Sequence, residues 1–183
     1  MDEHTVLYTK EGFYFVKHKK NNYSLSFEMK NNNIILANII DFTLVKLIYD
    51  LNADIYENID LKKINDNEVI MTMLIKHLFE ELGLPQRFSY VHIKKFIEEN
   101  KITFVSQSIY SERPQNMPLE SEQMPLKIMT CSCDILTPYH IGFKCHITFE
   151  DKMIIPPFVE KIIGLIIFKI FNRVKQFIEN VRM

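Results

Sequence analysis

Polar and apolar positions along this chain follow two rhythms. As far as Phe149 the clearer stretches alternate residue by residue, which is the pattern of strands with one buried and one wet face; after Pro156 the spacing changes to three and four. Val6 to Tyr8 and Phe13 to His18 flank Lys10-Glu11-Gly12, and Tyr23 to Met29 follows Lys19-Lys20-Asn21-Asn22. The chain therefore opens as a meander of short strands joined by hairpin turns. In its third stretch Tyr23, Leu25, Phe27 and Met29 alternate with Ser24, Ser26 and Glu28. After the Asn31-Asn32-Asn33 turn, Ile34 to Leu36 reads as a brief strand. Asp41 or Thr43 then caps a short helix carrying Leu44, Val45, Leu47, Ile48 and Leu51 at helical spacing.

Alternation resumes at Val69, Met71, Met73 and Ile75, behind an Asp66-Asn67 turn. Gly83-Leu84-Pro85 breaks the chain after a single helical turn at His77 to Leu82. Tyr90 to Phe96 and Ile102 to Ile109 form a hairpin around Glu98-Glu99-Asn100-Lys101. From Tyr110 to Pro125 the pattern dissolves into Pro, Ser, Glu, Gln and Asn, a loop long enough to predict a mobile gate rather than a simple connection. Leu126 to Leu136 and Phe143 to Phe149 make the last strand pair, with Phe143, Cys145, Ile147 and Phe149 on its apolar side.

The final stretch is helical. Val159, Ile163, Ile166, Ile170, Val174, Phe177 and Val181 advance in steps of three and four and predict one buried stripe. Pro156 and Pro157 suit a first turn, whose N–H groups are unpaired in any case. Between Ile162 and Phe168 the helix is apolar nearly all round, but the uncharged run stops at Lys169, far short of the about 20 residues that a bilayer requires. The helix is thus a lid or a core element. A long amphipathic helix after a run of strands predicts an α+β layer arrangement, a curved antiparallel β-sheet gripping a long C-terminal α-helix, which can leave an internal apolar cavity between them. Phe27, Met71, Met73, Val91, Ile93, Phe104, Met129, Cys131, Cys133, Cys145, Ile147, Ile163 and Ile166 are its expected walls. Register decides this, since a slip of one residue would turn Tyr90 and His92 inward in place of Val91 and Ile93.

With 183 residues, 47% hydrophobic and 12% aromatic, residues 1–183 suffice for one domain with a sizeable core. Lys+Arg 22 against Asp+Glu 23 leaves a formal charge of -1, so no global field draws the chain to nucleic acid. Three cysteines, two of them at Cys131 and Cys133, do not make the disulfide framework of a secreted domain. The acidic start, Asp2 and Glu3, is unlike a signal peptide. A monomer in the cytoplasm is expected.

Several stretches resemble the START lipid-transfer domain and its wider helix-grip superfamily. Leu47-Ile48-Tyr49-Asp50 is similar to the family's helix ending in leucine and aspartate, and Gln86-Arg87 stands where the family opens a strand with arginine. Ser106-Gln107-Ser108-Ile109 followed by Pro114, Pro125 to Pro138 as the strand that in the family ends in an isoleucine-x-proline turn, and Gly142 to Gly164 with Glu150 and Pro156 continue the resemblance over about Gly12 to Val181. Tyr56 stands near the family's tryptophan, Phe88 replaces an aspartate and Met153 a glycine, and the family's N-terminal helix is missing. The resemblance implies a lipid ligand, phospholipid or sterol-like, held in the cavity and exchanged at a transient membrane surface. The loop from Tyr110 to Pro125 and the final helix would be its gate, with no cofactor and no bond made or broken.

Other chemistries compete at single positions. Arg87 offers a planar fork to a lipid headgroup or an acidic partner, or is a plain surface arginine. Cys131, Cys133 and Cys145 would bring three thiols together, but a fourth metal ligand is not evident, and buried thiols also serve as small apolar residues. In a cyclase-like or hydratase-like enzyme of the same superfamily, His92, Asp134 or Glu150 would be the acid or base. No G-x-S-x-G, H-E-x-x-H or phosphate-binding glycine loop occurs. A protein-interaction domain with a filled core is the third reading.

Overall fold

The computed structural model describes residues 4–182; Asp2 and Glu3, on which the leader argument rests, lie outside them. Its strands are β1 (Thr5–Lys10), β2 (Phe13–Lys19), β3 (Asn22–Lys30), β4 (Tyr56–Asn65), β5 (Glu68–Ile75), β6 (Arg87–Glu98), β7 (Lys101–Ser108), β8 (Glu122–Gln123), β9 (Leu126–Thr137) and β10 (His140–Phe149). Helix α1 (Phe42–Asp50) follows β3, and α2 (Pro157–Asn180) ends the chain. One antiparallel sheet runs β1-β2-β3-β10-β9-β7-β6-β5-β4, and only the two-residue β8 adds in parallel, beside β6. The last hairpin thus sits in the middle of the sheet, between the opening meander and the central strands.

Local chemistry explains the joints. Glu11 and Gly12 take positive φ at the first hairpin, and Asn21 does so at the second. Asn21 also donates its side-chain amide to the carbonyls of Glu150 and Met153, which ties that turn to the segment entering α2. Asp41 caps α1 through the N–H of Thr43 at 2.7 Å.

Three expectations need correction. Ile34 to Leu36 is not a strand; the chain forms a short 3-10 turn, Leu36–Ile39, with Leu36 fully buried. β4 has no counterpart in the alternation, because this edge strand leaves most of its residues to solvent and only Ile59 and Leu61 pack inward from its middle. The buried line of α2 is also rotated from the expected stripe. Val159, Gly164, Ile170, Val174 and Ile178 are buried, and Ile167, Phe168 and Phe171 pack on the core, but Phe177 is 46% exposed and Ile163 and Ile166 are only half-buried. Gly164 is the reason: a Cβ there would stand 3.2 Å from the ring of Phe15 and 3.4 Å from Cβ of Tyr8. The helix comes close to β1 and β2 at a residue with no side chain, and a stripe of large apolar residues cannot show that.

Candidate functional site

The concave face of the sheet, α1 and α2 enclose the apolar interior, and register places its walls. Met71 pairs with Val91, Phe104 with Cys131, Cys145 with Cys131, and Ile147 with Met129. Directly opposed residues project from the same face. Phe27, Met71, Val91, Ile93, Phe104, Cys133 and Cys145 are buried in one core, and Met73, Met129, Cys131 and Ile147 pack against it half-buried. Val91 and Ile93 are therefore the inward pair. Tyr90 and His92 face the other side, where His92 meets Glu68 at 2.8 Å.

The interior has two unlike halves. Under the middle of α2, Phe13 stacks on Phe27 at 4.4 Å between centroids, Phe27 meets Phe143 at 4.8 Å and Phe171 at 5.7 Å, and Phe168 closes on Phe13 at 5.2 Å. Toward α1 the walls are Val69, Met71, Met73, Val91 and Ile93 with Ile59 and Leu61. There the hydroxyl of the buried Tyr49 donates to Sδ of Met71 at 3.1 Å. Ser89 and Ser106 are buried in this half, opposite Met73 and Met129.

The thiols behave as wall residues. Cys131 and Cys145 lie 3.1 Å apart, Sγ to Sγ. The hydrogen bond to Cys145, followed by burial, holds the Cys131 thiol well above its ordinary range, and burial foremost pushes Cys133 up to about 12. Both are protonated at neutral pH, so neither is a thiolate poised to bind metal or to attack.

Polar contacts grip α2 along its length. Glu160, buried in the first turn, accepts from Lys17 at 2.6 Å and from the hydroxyl of Tyr23 at 2.7 Å. At the far end Asn31 donates to the carbonyls of Ile178 and Val181. On the flank Asp54 accepts from Arg173 and Lys169, which hold its carboxyl well below the usual carboxylate range. The outward side of the first half of α2 carries Phe158, Ile162 and Leu165, which are exposed and aligned by their helical spacing, and Ile154 before the helix is exposed too. Lys161 and Lys169 stand among them on the exposed side.

The remaining candidates lie elsewhere. Arg87, at the start of β6, pairs with Glu122 of β8 at 2.8 Å rather than standing free for a headgroup. Asp134 faces Lys144 at 3.3 Å on the side opposite its buried neighbour Cys133. Glu150 follows β10, in the segment that Asn21 holds. His92, Asp134 and Glu150 are thus not brought together. The loop from Tyr110 to Pro125 touches the edge of the interior where the Tyr110 hydroxyl donates to the carbonyl of the core residue Leu126 at 3.3 Å, but its middle packs elsewhere. Its Met117 is buried in a second cluster with Leu74, Phe88 and Tyr90, residues that alternate with the inward-facing ones of β5 and β6. Arg113 lies over the Phe88 ring at 4.8 Å and donates to Ser121, while Tyr90 donates to Glu112 at 2.7 Å. The loop is a strap on the outer face, and Leu119, 92% exposed, is its free tip. Glu160, Ser89 and Ser106 are the features that sequence reasoning missed, whereas the outward apolar side of α2 was announced by the all-round apolar run from Ile162 to Phe168. A carboxylate one turn before the glycine that meets the sheet was the available sign for the first.

A curved sheet closed by one long C-terminal helix is the helix-grip arrangement, and this chain has its START-like form. The human StarD13 (DLC2) lipid transfer and protein localization domain superposes with a TM-score of 0.72 at 10% identity, covering 99% of this chain and 91% of that one. Human STARD10 gives 0.70 at 9% identity over 94% and 71%, and human StAR-related lipid transfer protein 5 gives 0.69 at 10% over 96% and 86%. At such identities the likeness is one of fold. By sequence, no family model and no curated protein matches the chain. No helix among the described residues is long and apolar enough to cross a membrane.

Proposed function

We propose that this chain binds a lipid in the half of its interior walled by Val69, Met71, Met73, Val91 and Met129, and transfers it between membranes. The observation that carries the reading is the apolar line of Phe158, Ile162 and Leu165 on the outside of the very helix that closes an apolar interior, with exposed Ile154 just before it. A soluble helix with both sides apolar needs a second apolar environment, and a bilayer interface supplies one. Lys152 and Lys161 lie close to that line in the chain and favour anionic headgroups. In this reading α2 is both the membrane face and the element that moves, and the strap of residues 110–125 is not the gate. Solved lipid-transfer domains of the same fold support it.

The enzyme reading has no comparable support, since His92 and Asp134 lie on the opposite face of the sheet from the interior. The test is to purify the chain, record its mass under native conditions before and after incubation with mixed-lipid vesicles, and follow transfer of a fluorescent phospholipid and a fluorescent sterol to acceptor vesicles. Stoichiometric capture and transfer of either is the expected result. A chain that captures neither overturns the proposal.

A further inference from the structure

On β7 the residues Ile102, Phe104 and Ser106 are buried and alternate with Thr103, Val105 and Gln107 on the other face. Ser108, half-buried at the end of the strand, continues the same face, and its register partner is Val91, 1% exposed in the core. Directly opposed residues share a face, so the Ser108 side chain points inward. Its Oγ is the one side-chain nitrogen or oxygen among the described residues that is fully buried with no hydrogen-bond partner. Leaving such a group unpaired is costly, and buried polar groups are as a rule paired. An orphan hydroxyl on the wall of an apolar interior therefore marks where something else belongs.

The surroundings restrict what that is. Glu160 is the only buried charged residue among those described, and Lys17 and Tyr23 already occupy it. Arg87 is held by Glu122. Among the buried residues there is thus no free cation for a phosphate and no free carboxylate for an amine, and the half-buried Lys95, on the inward face opposite Phe104, lies over the Phe42 ring at 5.4 Å, four residues along β6 from Val91. Nearby on the same face are Ser89 and Ser106, together with Met73 and Met129. Resting on the lipid-binding reading above, we infer that Ser108 is the polar contact for an uncharged lipid carrying one small hydrogen-bonding head, a hydroxyl or a ketone, which enters head first with its apolar body along the methionines. A serine hydroxyl both donates and accepts, so either head fits.

The inference makes two predictions of opposite sign. Without ligand, Ser108→Ala removes an unsatisfied group, so the urea midpoint stays at or above that of the wild type; a clear drop would mean that the hydroxyl has a partner within the chain and would end the inference. With ligand, a fluorescent sterol bound to the full chain is displaced by a sterol alcohol, its ketone or its deoxy hydrocarbon. The wild type is expected to prefer the alcohol and ketone by about 2- to 10-fold, the worth of one net hydrogen bond. Ser108→Ala erases that preference, and Ser24→Ala, on the wet face, keeps it. A preference that survives Ser108→Ala, or a wild type that takes an anionic phospholipid ahead of the alcohol, overturns the assignment while lipid binding stands. A wild type that binds no lipid of any kind removes the functional reading and the assignment together.

Discussion

Phe13, Phe27, Phe143, Phe168 and Phe171 fill the space beneath α2 ring against ring, while the space toward α1 is walled by Val69, Met71, Met73, Val91 and Ile93 with serines among them. Both halves lie on one sheet and face the same way, yet they are built from different material. Rings are large and stiff, and once interlocked they leave little that can adjust. Methionine has an unbranched chain and a polarizable sulfur and repacks around whatever is beside it. One half therefore holds the helix to the sheet, and the other is suited to change its contents.

The sharpest way to break that contrast is truncation on each side. Phe27→Ala, which removes a ring touching three others, is expected to cost about 3–5 kcal/mol, measured by urea unfolding. Met73→Ala, at a half-buried site, should fall at or below the low end of the about 2–5 kcal/mol range for Met→Ala, and the deficit should shrink when lipid is present. Equal costs on the two sides, unmoved by lipid, would erase the distinction between them.

Glu160→Gln comes next, because it removes the charge that Lys17 and Tyr23 both address at the start of α2. A loss of about 1.5–3 kcal/mol, the range for hydrogen bonds to charged groups, is expected in thermal or urea unfolding. The same clasp has a pH signature. Burial first, then the hydrogen bond to Glu160 and its charge, raise the Tyr23 phenol above its ordinary 10. The unfolded chain then gives up this proton before the folded one, so stability is intact below about pH 10 and declines as pH rises beyond it. Tyr23→Phe should flatten that alkaline decline, and a decline of unchanged steepness would count against the clasp.

Two weaker effects separate the strap from the helix. Met117→Ala should cost about 2 kcal/mol, the low end for a buried methionine, since the outer cluster is small, and it should leave lipid transfer unchanged. Phe158→Ser together with Ile162→Ser should shift stability by only about 0.5 kcal/mol, as exposed substitutions do, and slow transfer between vesicles several-fold. If Met117→Ala slowed transfer and the helix pair did not, the outer strap would be the gate after all.

Much of this architecture is legible in the chain as written. A half-buried antiparallel strand imposes a period of two, so alternation located β2, β3, β5, β6, β7, β9 and β10 and put Met71, Phe104 and Cys145 on buried faces. The change to a 3.6 period located α2, with prolines at its start where they cost nothing. What a pattern cannot report is which other element covers a face, because periodicity describes one segment at a time. Both faces of β5 carry apolar residues, Val69 and Met71 on one and Ile70 and Leu74 on the other. Only the fold shows that the second belongs under Met117. The same holds for α2: hydrophobicity drew its stripe through Ile163 and Ile166, and the approach at Gly164 set the helix so that Gly164 is buried and Ile167, Phe168 and Phe171 pack on the core instead. Pairing β10 with β3, across more than a hundred residues, and leaving the hydroxyl of Ser108 without a partner were likewise decided in three dimensions. Close approach and hydrogen bonding depend on distances between segments far apart in the chain, and amino-acid order alone contains no such distance.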